Sequence, residues 1–174
     1  MGPGRNRLTC KESLFGVIFT LSVVVPVLRR ANNGVLTRAT WNVTTNVEKN
    51  RILIAEHHPV MRDGLRAVIE QDADMAVVGE VATGEMAIEA FGTLAPDVVL
   101  MDAQLKDQDV LATVMAIRKA SSTAALVVMS TYPGELLVRQ ALSLGATSCF
   151  LKTATGEEII DEIRRARALA AMGR

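Results

Sequence analysis

From Arg51 onward, short and wholly apolar runs alternate with segments whose apolar residues recur every three or four positions, at about one pair per twenty to twenty-five residues. The runs are Ile52-Leu53-Ile54-Ala55, Met75-Ala76-Val77-Val78, Val98-Val99-Leu100-Met101, Leu126-Val127-Val128-Met129 and Cys149-Phe150-Leu151. A strand with one wet face alternates apolar and polar residues, and these do not. Continuous apolarity is what a strand of a parallel sheet covered on both faces requires. The expected architecture is therefore α/β: a doubly wound, five-stranded parallel sheet with right-handed crossovers and helices on both faces.

The intervening segments carry helical signals. Leu65, Val68 and Ile69 share one helical stripe, as do Ala87, Ile88 and Phe91. Pro59 and Pro133 suit the first turns of the first and fourth helices, and Thr155-Gly156-Glu157-Glu158 reads as a capping box opening the fifth. In the fifth helix Glu157, Glu158, Asp161 and Glu162 precede Arg164, Arg165 and Arg167, an order that suits the helix dipole without any partner.

In a doubly wound sheet ligands bind at the carboxyl ends of the strands. There the chain places Glu56, His57 and His58 after the first run, Asp102 after the third, Ser130 and Thr131 after the fourth, and Lys152 after the fifth. Strand ends are surface, and a polar residue at any one of them is ordinary. The combination is more specific. Asp102 follows D-V-V-L-M, where burial desolvates a carboxylate unless a cation compensates, and Lys152 at another strand end is such a cation. A carboxylate nucleophile, an ammonium and a hydroxyl around one crevice are the parts needed to accept a phosphoryl group.

Four segments, R-I-L-I-A-E-H-H-P-V-M-R-D-G-L-R at 51–66, V-V-G-E-V-A-T-G-E-M-A at 77–87, P-D-V-V-L-M-D at 96–102 and G-A-T-S-C-F-L-K at 145–152, resemble the receiver domain of bacterial two-component response regulators of the NarL/LuxR type. The resemblance covers residues 51–174 and implies a flavodoxin-like receiver fold. It also implies that Asp102 is the phosphoacceptor, Lys152 the lysine contacting the phosphoryl group, and Ser130 the switch hydroxyl that moves toward it. Glu56 and Asp102 would hold Mg²⁺, and a sensor histidine kinase would be the phosphoryl donor.

The chain departs from that pattern at several positions. Where the family has an acidic pair after the first strand, this chain has Glu56 followed by His57. Mg²⁺ prefers oxygen ligands in octahedral geometry, so weakened Mg²⁺ binding is expected, with Mn²⁺ as the softer substitute. His57-His58 as a metal pair of its own is not expected, since adjacent residues rarely ligate one ion together. The aromatic switch position is Cys149, and Phe150 should face the opposite side of the sheet. Cys149 is expected to be a nearly buried structural thiol rather than a redox sensor. The loop Ala103–Val110 lacks the family's Pro and Gly, and Thr153 replaces the proline after the lysine, so a cis bond there would cost about 3 kcal/mol.

The first 50 residues are different in kind. They hold seven Lys/Arg against two acids, while 51–174 hold twelve against seventeen, so the neutral chain is +5 followed by −5. With an acidic second part, only six aromatic residues in the chain and no basic run beyond Arg164, Arg165 and Arg167, direct nucleic-acid binding is not expected. Two cysteines, Cys10 and Cys149, give neither a disulfide framework nor a zinc-ligand motif, which favours a reducing compartment. Residues 13–28 form a sixteen-residue charge-free stretch ending in Pro26-Val27-Leu28. As a helix it would span roughly 24 Å, short of the roughly 30 Å of a bilayer core. Arg5, Arg7 and Lys11 resemble the start of an export signal, but no small-residue cleavage site follows.

Three readings of 1–50 stay open: an upstream stretch outside the working protein, which starts nearer Val47; a membrane anchor; or something else. Residues 31–50 match no nameable element, so an irregular or partly helical extension is expected.

The expected protein is a cytoplasmic signalling switch rather than a turnover enzyme, membrane-tethered only if 13–28 is an anchor. The chain stops at Arg174, about where the fifth helix should end, so no helix-turn-helix output is expected. Output would run through protein contacts, including pairing through the face of the fourth helix, fifth strand and fifth helix. The alternative is a degenerate receiver working as a phosphorylation-independent interaction module, which Glu56, His57 and Cys149 favour and Asp102, Ser130 and Lys152 oppose.

Overall fold

The structure, a computed structural model, describes residues 26–30, 36–40, 49–106 and 110–173 of the 174-residue chain. It divides into two compact units, Met1–Val47 and Glu48–Arg174. In the first, strands β1 (Pro26–Arg30) and β2 (Leu36–Thr40) pair antiparallel, with Pro26 opposite Thr40 and Arg30 opposite Leu36. This corrects the expectation of an irregular or partly helical extension with no element in 31–50. Pro26 opens a strand, where its missing N–H is tolerated, and the branched residues around it favour extended backbone. The rest of the apolar stretch, 13–25, lies outside the described residues. Among the described residues no helix is long and apolar enough to cross a membrane.

The second unit runs β3 (Asn50–Ala55), α1 (Pro59–Ile69), β4 (Met75–Val81), α2 (Gly84–Leu94), β5 (Val98–Asp102), α3 (Val110–Ala120), β6 (Ala125–Ser130), α4 (Leu136–Ser143), β7 (Ser148–Leu151) and α5 (Gly156–Ala171). Its five strands are all parallel, in the order β4-β3-β5-β6-β7. The two central strands β5 and β6 are buried at every position, which is why their sequences read as unbroken apolar runs. Alternate residues feed two cores. Leu53, Val99, Met101, Leu126 and Val128 pack toward α2, α3 and α4; Ile52, Ile54, Leu100, Val127 and Met129 pack toward α1 and α5. The strand order reverses beside β3, between β3 and β5, so the crevice expected to bind ligands opens above their carboxyl ends.

Local chemistry sets the element boundaries. Pro59 begins α1, the Thr83 side chain caps α2 by accepting from the Met86 N–H, and Thr155 and Glu158 form a complete capping box on α5. The expected start of the fourth helix at Pro133 is corrected. Gly134 follows it at φ 75°, a left-handed conformation that makes Pro133-Gly134 a turn and delays α4 to Leu136. Between β3 and β4 the register slips, with Ile52 opposite Val77 but Leu53 opposite Gly79. A Cβ on Gly79 would lie 2.5 Å from Leu94 Cδ1, so glycine lets the end of α2 close onto the sheet.

Candidate functional site

The carboxyl end of β3 carries Glu56, whose N–H donates to Val81 O and whose carbonyl accepts from the Arg62 guanidinium at 2.7 Å. These two bonds lock the backbone as it leaves the sheet and turn the Glu56 side chain inward, where it is wholly buried. Asp102, the last residue of β5, is 2% exposed, and the Gln104 N–H donates to its Oδ1 at 3.1 Å. Lys152 follows β7, and its N–H extends the ladder to Ser130 O at 2.7 Å.

Sheet order brings these ends together. Lys152 Nζ lies 2.7 Å from Glu56 Oε2, to which it donates a hydrogen bond, and 2.7 Å from Asp102 Oδ2. Two buried carboxylates therefore share one ammonium. Burial by itself raises the Glu56 carboxyl, but hydrogen bonds from Lys152 and from His58 outweigh it and hold Glu56 below the usual carboxylate range. Burial likewise works to lower Lys152, and the Asp102 and Glu56 carboxylates more than reverse it, raising the ammonium above its ordinary value. Lys152 is fixed in its charged form, as the cation expected beside Asp102.

The two histidines complete the cluster. His57 Nδ1 stands 3.2 Å from Asp102 Oδ2 and 3.5 Å from Glu56 Oε1, while His58 Nδ1 and the His58 N–H both lie 2.9 Å from Glu56 Oε1. The rings sit side by side with centroids 3.6 Å apart. The shape of the turn brings both imidazoles to the Glu56 carboxylate. Glu56, His57, His58 and Asp102 present ligand atoms all within 4.8 Å of one another, a group that could hold a metal ion.

Mg²⁺, the ion the sequence resemblance implies, matches this group poorly. Only Glu56 and Asp102 supply oxygens to it. The remaining donors are imidazole nitrogens, whereas Mg²⁺ requires a near-ideal octahedron of oxygens.

Ser130, also buried, is on the adjacent strand, and its hydroxyl bonds to the turn before α4. It donates to Glu135 Oε2 at 2.5 Å and lies 2.9 Å from Tyr132 O, and Oγ accepts from the Tyr132 N–H at 3.3 Å. Glu135 was not legible as a site residue, because nothing in its local sequence marks it. Arg62, which fixes Glu56, was signalled only by its place one helical turn after His58-Pro59.

Cys149 is exposed on β7, correcting the expectation of a nearly buried thiol: β7 is an edge strand, so one flank is open. Partial desolvation, with the Glu162 charge adding to it, pushes the thiol pKa up, opposite to what a reactive cysteine needs. Phe150 packs into the core beneath α5, on the face opposite Cys149 as the strand alternation requires. Residues 107–109 of the loop after Asp102 lie outside the described residues. No cis peptide occurs among the described residues, Lys152-Thr153 included.

Comparison with known proteins agrees with this architecture. The response regulator receiver domain family model matches residues 52–164. The nitrate/nitrite response regulator protein NarL of Escherichia coli K12 is 33% identical over 124 residues, covering 71% of this chain and 57% of that protein. The transcriptional regulatory protein YxjL of Bacillus subtilis is 34% identical over 121 residues, covering 70% and 56%. The chain thus spans little more than half the length of these curated relatives. Among solved structures, the signal receiver domain of a NarL response regulator from Mycobacterium tuberculosis superposes with a TM-score of 0.66 at 28% identity, over 70% of this chain and 98% of that one. With five parallel strands in receiver order, a buried acid and a lysine meeting above them, and a family match across most of the second unit, the chain belongs to the response regulator receiver family.

Proposed function

We propose that this chain is a phosphorylatable receiver in a two-component relay, taking a phosphoryl group on Asp102 from a sensor histidine kinase. The observation that carries this reading is the 2.7 Å contact between Lys152 Nζ and Asp102 Oδ2 at the mouth of the crevice. A carboxylate oxygen of Asp102 attacks the phosphorus of a phosphohistidine. The new P–O bond forms as the N–P bond breaks, and the donor imidazole leaves with that electron pair. Lys152, already charged and held by Glu56, neutralises the incoming phosphoryl oxygens without having to be recruited. Mg²⁺ binding is weak because of the mixed donor set, and no step here is assigned to it.

Ser130 is the switch hydroxyl in this reading, and it must leave Glu135 to reach a phosphoryl group. Cys149 occupies the aromatic switch position, so the hydroxyl-to-aromatic coupling of the family is absent. Output passes through protein contacts at the face of α4, β7 and α5, where Leu142 and Cys149 are exposed, and that face is also the proposed pairing surface. Direct DNA contact is not part of the proposal for the described residues, since Arg164, Arg165 and Arg167 are each paired with acids. A cytoplasmic location follows from the kinase donor.

Intact mass of the full chain after incubation with a small phosphodonor, with Mg²⁺ or Mn²⁺, tests the proposal. One added phosphoryl group, absent in Asp102→Asn, is the expected result. A folded protein that gains no mass with either metal is instead the phosphorylation-independent interaction module.

A further inference from the structure

We infer that the crevice of Glu56, His57, His58 and Asp102 is a site for a borderline divalent transition cation of the Zn²⁺ class, not for Mg²⁺. Three observations carry this. The first is donor chemistry: two imidazole Nδ1 atoms and two carboxylates are the mixed nitrogen and oxygen set that zinc and its neighbours in the first transition row take readily.

The second is spacing. With metal–ligand bonds near 2.0 Å, the ligand atoms of a tetrahedral ion lie about 3.3 Å apart. The pairs His58 Nδ1 to Glu56 Oε1, His57 Nδ1 to Asp102 Oδ2 and His57 Nδ1 to Glu56 Oε1 stand at 2.9, 3.2 and 3.5 Å, on either side of that value. All four donors lie within 4.8 Å of one another, close enough to converge on one ion.

The third is an unmet need at the centre of the group. His57 Nδ1 is a buried nitrogen that makes no hydrogen bond, and it faces Asp102 Oδ2 at 3.2 Å. Lys152 gives Asp102 Oδ2 an ion pair there. Two carboxylates against one ammonium still leave a net negative charge in a buried place, which a divalent cation neutralises. Lys152 holds Glu56 through Oε2, and Oε1, which accepts from the His58 N–H, has its second lone pair on the histidine side for the ion.

The inference does not depend on phosphoryl transfer, because binding is measured with no phosphodonor present. Titrating the metal-free full chain with Zn²⁺, followed calorimetrically, is expected to show one ion per chain that a hundredfold excess of Mg²⁺ does not displace. Co²⁺ in place of Zn²⁺ should give the visible absorption of a four-coordinate ion. His57→Gln and His58→Gln should each weaken Zn²⁺ by about tenfold or more. His58 is 62% exposed at its side chain, so its replacement leaves the fold intact. A Cys10→Ser, Cys149→Ser double variant should bind as the parent does. Zn²⁺ held no more tightly than Mg²⁺, binding that survives both histidine substitutions, or binding lost with the cysteines would each overturn the assignment.

Discussion

At the amino ends of the strands, Asp74 and Asp97 meet Arg164 and Arg167 of α5 at the protein surface, whereas at the carboxyl ends Glu56 and Asp102 are buried and share the ammonium of Lys152. The groups are chemically alike and their surroundings are not. On the amino side, Asp97 also accepts from the Arg51 N–H at 2.9 Å, and Asp74 sits between the two donors of one guanidinium at 3.0 and 3.3 Å. These acids are satisfied and wet. On the carboxyl side, charge is desolvated and outnumbers its compensation. Surface pairs contribute little and are screened, while a buried group that loses its partner is costly, so the same fold keeps a screened rim at one end and a desolvated cluster with one cation for two carboxylates at the other.

The largest expected effect separates the two ends directly. Lys152→Met removes the cation from two buried carboxylates and should lower stability by about 3–5 kcal/mol in urea unfolding at neutral pH. A loss comparable to that of a surface pair would break the comparison.

Asp102→Asn is expected to do the reverse of what its burial suggests. It leaves a one-to-one Lys152–Glu56 pair, so stability should stay level or rise by no more than about 1 kcal/mol in the same assay. Loss of phosphoryl acceptance without loss of stability would mark Asp102 as a residue kept for chemistry.

The pH dependence sharpens the contrast because the carboxyl end adds an alkaline loss, through Lys152, to the acid loss of its carboxylate. Lys152 has a folded pKa above its unfolded value near 10.4, so its contribution is complete below that value and is lost as pH rises through the higher folded one. The stability gap between the parent and Lys152→Met should therefore shrink in strong alkali, and also in acid, where Glu56, held below the usual carboxylate range in part by this ammonium, becomes protonated. Asp74 is held below the usual carboxylate value, chiefly by its hydrogen bond from Arg164 against the opposing effect of burial. Its contribution is present above the unfolded value near 3.9 and disappears as pH falls through the lower folded one. A gap between parent and Asp74→Asn should close in acid.

The smallest effects belong to the amino end. Arg167→Ala should cost about 1 kcal/mol or less, since Asp97 keeps its backbone donor, and Arg164→Ala about 0.5 kcal/mol, both shrinking in high salt.

Much of this architecture is local and could be read from the chain. Each β-α pair carries its own period, and burial on both faces writes β5 and β6 as unbroken apolar runs. Proline and threonine mark the starts of α1, α2 and α5 because capping is settled within a few residues. Asp102 and Lys152 were visible as strand-end residues for the same reason: the end of an apolar run is a local event. The start of α4 departs from its proline signal because Gly134, directly after Pro133, adopts a left-handed turn conformation.

Other features belong to the tertiary structure alone. Lys152 meets Glu56 across 96 residues of sequence, a contact made by strand order rather than by any pattern near either residue. The turn after β3 places two adjacent imidazoles beside the same carboxylate. The Ser130 hydroxyl has several partners within reach of one rotation, and Glu135 holds it because of where the turn before α4 puts that side chain. Cys149 is exposed because β7 is an edge strand, which its residues do not declare. The sequence by itself determined which elements form and which residues stand at their ends, since periodicity and capping are short-range. Which of those residues touch, and in what charge balance, was decided only when the sheet was assembled, because buried electrostatics depends on every neighbour at once.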